Sequence, residues 1–223
     1  RFEFGRFLQD GVPEFGVLDG FQYGQRLANG NRFGASIGFM PEPFNNFDQS
    51  FNDFQISGYY EYFADESEKL SLLGGLQHTV HEGTRDRDLL LGRLRWLPES
   101  GWSTNLTTWI DFYDGRDENK ASFAQLTRAV ATVAHDWESG DGVAFNLTHQ
   151  RYPELLRTEF APPVAANQLA DDHANLANAS GWTWLSDRKR LHGVVGGWVD
   201  QDDAGANAEA GMEFLDFVLK DSS

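Results

Sequence analysis

The stretch Gly101–Gly115, GWSTNLTTWIDFYDG, decides the fold class. Taken by parity, Trp102, Thr104, Leu106, Thr108, Ile110 and Phe112 form one set; Ser103, Asn105, Thr107, Trp109, Asp111 and Tyr113 form the other. Strict alternation of this kind is a strand with two unlike faces. In a soluble β-protein the greasy face packs on a core and the polar face meets bulk water. In a membrane barrel the greasy face meets lipid and the polar face lines a wet interior. The strand alone fits both, so the chain around it has to choose.

Working outward, strand-like segments recur at 1–9, 17–27, 32–40, 53–63, 69–80, 88–97, 102–113, 121–137, 143–152, 180–186, 190–200 and 207–217. Phe33, Ala35, Ile37 and Phe39 oppose Gly34, Ser36 and Gly38; Leu90, Gly92, Leu94 and Trp96 oppose Leu91, Arg93 and Arg95. The segment at 121–137 loses phase, which predicts a bulge there. Between segments, ANGN (28–31), ADESEK (64–69), PESG (98–101), ESGDG (138–142) and SDRKR (186–190) have the Gly, Asn, Asp and Ser of tight turns. They alternate with longer links at 41–51, 81–87, 114–120, 153–178 and 200–207. Tight turns at one end and longer loops at the other describe an up-and-down meander, whereas a Greek-key sandwich mixes the lengths. The expected fold is therefore all-β: an antiparallel up-and-down meander of about twelve strands, forming a transmembrane β-barrel or part of a larger one. No linker divides the chain, which reads as a single domain over 1–223. The 153–178 link lacks period-2 pattern and carries Pro153, Pro162 and Pro163; a surface loop is its expected form, with a helical turn or an inward fold as alternatives.

Composition narrows the function classes. The 223 residues carry 34 acidic against 18 basic side chains, a formal charge of −16, so nucleic acid is not an expected partner. The chain has no cysteine, which excludes disulfide scaffolds and thiolate metal sites. No apolar run approaches the ~20 residues of a membrane helix, while a barrel needs only alternate apolar residues. No P-loop, GxSxG, HExxH or GxGxxG stands in a strand-to-helix setting, and among the histidines only His78 and His81 are closely spaced. Asp200, Asp202 and Asp203, like Asp114, Asp117 and Glu118, fall short of a calcium loop's six to eight oxygens and read as solvated acidic loops. Neither an enzyme, a cofactor nor a metal site is expected.

Two residue sets carry the functional reading. On the expected inner face stand Glu61, Arg93, Arg95, Asp111, Arg128 and Arg190, mid-strand charges that need water or a partner. Near strand ends stand Tyr60, Tyr62, Trp96, Trp102, Phe112, Trp137, Trp182, Trp184 and Trp198, candidates for aromatic girdles at the two membrane interfaces. The hairpin rhythm, the two-faced strand STNLTTWIDFY (103–113) and the opening FGRFLQDGVPEFGVLDGFQYGQRLANGNRFGASIGF (4–39) together resemble bacterial outer-membrane β-barrel proteins of the porin-like kind. The resemblance implies a bacterial outer-membrane location, contact with outer-membrane lipid, and passive diffusion of small hydrophilic solutes. It also admits a homo-oligomer or a partner in a surface assembly. The end, FLDFVLKDSS, lacks the aromatic that closes such barrels, so a chain lacking terminal segments is expected. Two other readings stay open: a soluble secreted β-protein that binds carbohydrate through exposed aromatics such as Trp109, Tyr113, Trp182 and Trp184, and a barrel serving as anchor or scaffold.

Overall fold

A computed structural model describes residues 1–42, 48–114, 116–120, 123–157 and 164–215. Twelve strands follow one another: β1 (Phe2–Leu8), β2 (Val17–Arg26), β3 (Arg32–Phe39), β4 (Asp53–Phe63), β5 (Leu70–His81), β6 (Thr84–Trp96), β7 (Trp102–Phe112), β8 (Ala124–Asp136), β9 (Gly142–Arg151), β10 (His173–Ser186), β11 (Lys189–Asp200) and β12 (Ala204–Phe214). A 3-10 turn at Pro13–Phe15 and a short helix α1 (Ala166–Asp171) are the other elements. All strands lie in one sheet in the order β1 to β12, each antiparallel to the next. This is the up-and-down meander expected from the rhythm of turns. Among the described residues β1 and β12 are the two edges and do not pair with each other. No helix among them is long and apolar enough to cross a membrane.

Three boundaries differ from expectation, each for a local reason. The link expected at 81–87 is a two-residue hairpin turn. Glu82 (φ 48°) and Gly83 (φ 82°) both take left-handed backbone, the requirement of a type I′ turn. HEGTRDR reads as a loop by its charges, but those charges are paired in the strand: Arg85 Nε meets Asp88 at 2.7 Å and Arg87 Nε meets Asp111 at 2.5 Å. The link at 200–207 is also shorter, because Asp200 Oδ1 accepts the N–H groups of Asp202 and Asp203 at 2.9 and 2.7 Å and closes the turn locally. β10 begins at His173 instead of residue 180, since its first residues pair with β9 from Arg151 onward. The rest of the 153–178 link contains α1, the helical turn held as an alternative. The expected bulge is present at Thr127: Trp109 pairs with Arg128 and Ile110 with Leu126, leaving Thr127 as the extra residue.

One face of the sheet carries the β1–β2 connection folded onto it and is called inner here; the other is outer. On the inner face Val12 and Phe15 pack with Leu73, Leu89 and Leu91, flanked by Tyr59 and Trp109. This small core sits over β4–β7 only. Fully buried side chains are otherwise polar to an unusual degree: fifteen polar or charged against nine apolar among the described residues. Large apolar side chains instead cover the outer face. Ile37, Ile56, Leu72, Leu76, Phe145, Leu147 and Val195 are each more than a third exposed. The accessible surface is 13475 Å², against roughly 10,300 Å² for a compact monomer of this mass. A single sheet, with no second layer over its outer face among the described residues, explains the excess.

Candidate inner-face site

The inner face is built from the β1–β2 connection upward. Pro13 opens the 3-10 turn with its fixed φ, and Phe15 N–H closes on Val12 O at 3.0 Å. The segment is held by a buried amide network. Gln9 donates to Phe15 O at 2.9 Å and accepts from the hydroxyls of Ser36 and Ser57 at 2.6 and 2.8 Å. Gln77 donates to Gln55 at 2.9 Å and to Phe15 O at 3.3 Å. Every one of these strand residues is inward by register, so polar positions on β3, β4 and β5 serve as the seat of residues 9–16. Gly11 shows why the seat is tight. Its φ is +81°, and a Cβ there would stand 2.5 Å from the Tyr59 ring.

The six charged candidates all share this face by register. Their environments differ sharply. Asp111 is 1% exposed and bound by Arg87 (2.5 and 3.1 Å) and by the Thr127 hydroxyl, which makes it part of the wall's internal structure. Arg93 is held by Glu14 of the folded segment and by Gly11 O at 3.4 Å. Glu61 lies 3.7 Å from Arg32, which also meets Glu68. Arg190 pairs with Glu213 at 2.7 Å and lies over the Trp184 ring. Among the described residues, Arg95 and Arg128 form no ion pair with a carboxylate. Arg128 instead stacks at 4.9 Å on Trp109, which takes Arg87 at 5.4 Å as well. Arg95 and Arg128 are thus the cations on the inner surface of β6–β8 that have no carboxylate in ion-pair contact among the described residues.

The aromatic candidates divide between faces. Tyr60, Tyr62, Trp96 and Trp102 are on the outer face at the tight-turn ends of β4, β6 and β7, each 42–46% exposed. Trp137 follows β8 at the same end and packs edge-on against His135, itself 4.6 Å from Trp102. Phe112 is outward at the loop end, beside Phe123. Trp182, Trp184 and Trp198 differ from the lipid-facing expectation. They pair with His192, Arg190 and Leu176, and Trp182 and Trp198 lie over their cross-strand partners Gly142 and Gly205. Alternation sets their side, in phase with the inward Asn178, Ser180 and His192, and a glycine beside each ring accommodates it there. That glycine leaves room on the inner face for an indole to lie flat along the sheet, and Trp182 Nε1 is satisfied there by Gly140 O at 3.1 Å.

The turns at the tight end are fixed by charge. Asp141 accepts the Trp184 N–H at 2.8 Å and the Ser139 hydroxyl at 2.7 Å, which hold its carboxyl below the usual carboxylate range, the backbone bond contributing most. A carboxyl lowered on folding contributes stability above its unfolded pKa that is lost as pH falls through the folded one. Asp141→Asn should therefore leave less acid sensitivity below about pH 4, measured as the difference in thermal midpoint between pH 6 and pH 3 for variant and parent.

What fold and site define together is a single-layer β-wall, apolar outside and charged inside. No family model matches the chain, and no curated protein sequence matches it. Among solved structures it is similar to an anion-selective porin from Comamonas acidovorans, at 15% identity and a TM-score of 0.48. The similarity covers 92% of this chain and 61% of that one. The chain thus spans about three fifths of that porin's length.

Proposed function

We propose that the chain forms the wall of a bacterial outer-membrane β-barrel, whole or part, and works as a porin-like passive channel for small hydrophilic solutes. The observation that carries the reading is the inversion of polarity: charged and amide side chains on the inner face, large apolar side chains bare on the outer. A soluble protein rarely exposes contiguous apolar surface beyond a few hundred Å², whereas a lipid-facing wall requires it. The aromatic row of Tyr60, Tyr62, Trp96, Trp102 and Trp137 supports the same placement, at the level where amphipathic rings favour the interface. Solutes pass by diffusion along the inner face. Charge and the narrowing made by residues 9–16 act on that diffusion.

Arg95 and Arg128 set the field felt by a passing ion. Each contributes roughly 0.5 kcal/mol to an ion ~8 Å away in a water-like medium, about 1 kcal/mol together. The double variant Arg95→Gln/Arg128→Gln should shift the anion-to-cation permeability ratio toward cations, by up to about thirtyfold at low salt because anion and cation feel the lost field with opposite sign, read from reversal potentials in a salt gradient. The channel role itself is tested by planar-bilayer conductance of protein extracted in detergent, with heat-modifiable gel mobility as the check of barrel folding. A protein monodisperse without detergent and silent in the bilayer ends this reading.

A further inference from the structure

Residues 152–157, which leave the loop end of β9, do not arch away from the sheet. They run to the loop ends of β6, β4 and β3 and are fastened at each step. The Glu154 carboxylate accepts the N–H groups of Glu118 and Asn119 at 3.0 Å each, and the Asn119 side chain at 3.1 Å. Asp86 Oδ1 accepts the Leu156 N–H at 2.5 Å and the Arg157 N–H at 3.3 Å. The Arg157 guanidinium donates to Pro41 O at 2.5 Å and lies 3.9 Å from Asp53, which also holds His81 Nδ1 at 2.7 Å. Arg157 and Asp53 are 6% and 3% exposed. Asp53 is on the inner face by register with Gln55 and Ser57, and Asp86 is on the same side through its bond to the inward Thr79. The path from β9 to β4 therefore passes over the inner face, spanning four intervening strands.

From this we infer that residues 152–157 form a strap across the loop-end mouth, locked by Arg157 and Asp86, and that the strap sets the size limit for solutes entering there. The inference rests on the channel reading. A buried arginine with a buried carboxylate is a costly arrangement, and here the Arg157 guanidinium meets a backbone carbonyl beside an aspartate that also holds a histidine. That is a fastening of defined geometry, unlike a loop that drapes over a surface. A carboxylate receiving three N–H groups, at Glu154, fixes the middle of the strap in the same way.

The test compares wild-type protein with Arg157→Ala and Asp86→Ala. Asp86→Ala removes only the acceptor for two strap N–H groups and for Thr79, and keeps the buried arginine paired. Conductance is read in planar bilayers with polyethylene glycols of graded size, and trypsin cleavage after Arg151 is followed in detergent. Release of the strap should raise conductance, move the exclusion limit to larger polymers and open the Arg151–Tyr152 bond to trypsin. Variants that keep heat-modifiable mobility with wild-type conductance, exclusion limit and protease resistance overturn the proposal. Cleavage without any change in the exclusion limit also overturns it, because the strap would then be fastened but not limiting. A wild-type protein without conductance defeats the channel reading, and the size-setting role with it, whatever the protease shows.

Discussion

Leu106→Lys is expected to lower the stability of the folded sheet in lipid by about 2–4 kcal/mol, the cost of a cation at the bilayer midplane on the lipid face of a barrel. Leu106 is outward at the middle of β7 and pairs with Ala131; the next pair, Thr107 with Val130, is inward at the same depth. Val130→Lys places the same charge one residue away on the other face, where its cross-strand neighbours are Thr107 and Thr148. In water that lysine costs only the lost contacts of one valine, about 1 kcal/mol. Denaturant titration of both variants refolded into lipid vesicles checks the contrast. Equal penalties mean that the two faces meet similar surroundings, which removes the membrane placement. A larger penalty at Val130 means that the inner face is packed, not wet, at this level.

The contrast between 106 and 130 uses a distinction that was legible in the sequence from the start. β7 alternates without fault, and the same is true of β3 and of most of β6, so their faces followed from parity alone. β12 repeats the pattern more simply, with Ala204, Ala206, Ala208, Ala210, Met212 and Phe214 outward against Asn207, Glu209 and Glu213 inward. Its signal in sequence is low, because alanine contributes little apolar area. β10 could not be read this way. Both of its parity sets mix Asn, Ala and Gly with larger residues, so neither set stands out as the apolar one, and the glycines that receive its tryptophans lie on or beside neighbouring strands. Cross-strand pairing is not visible until the register is known. The charges of residues 84–87 misled for a related reason: a salt-bridged strand and a solvated loop have the same composition.

The inward fold of residues 9–16 was the largest feature that alternation could not supply. Nothing in QDGVPEFG has a period, and its partners lie up to 82 residues away at Arg93. In hindsight two signals point to it: apolar Val12 and Phe15 in an otherwise polar link, and inward Leu73, Leu89 and Leu91 on strands whose inner face is polar elsewhere. An apolar patch on an otherwise polar face needs a cover, and this connection carries matching residues. Sequence alternation assigns faces; it does not say which loop returns to one of them.

Phe15→Ala follows from that cover. Phe15 is 1% exposed, with its ring against Gly75 and within the cluster of Val12, Leu73, Leu89 and Leu91. Truncating a buried phenylalanine costs about 3–5 kcal/mol where the site cannot collapse. Gly75, facing the ring without a side chain, gives the wall little means of filling the space. The loss falls on residues 9–16 rather than on the hydrogen-bonded strands, whose ladders do not include Phe15. The variant is therefore expected to keep its sheet, and on the proposed barrel reading its heat-modifiable mobility, while the segment detaches from its seat. Conductance should then rise and become noisier, and Arg93, released from Glu14, should add to the positive field and raise anion preference. A variant that loses stability with unchanged conductance assigns residues 9–16 to structure alone. One that gains conductance with unchanged selectivity separates the narrowing from the charge, leaving Arg95 and Arg128 to set the field.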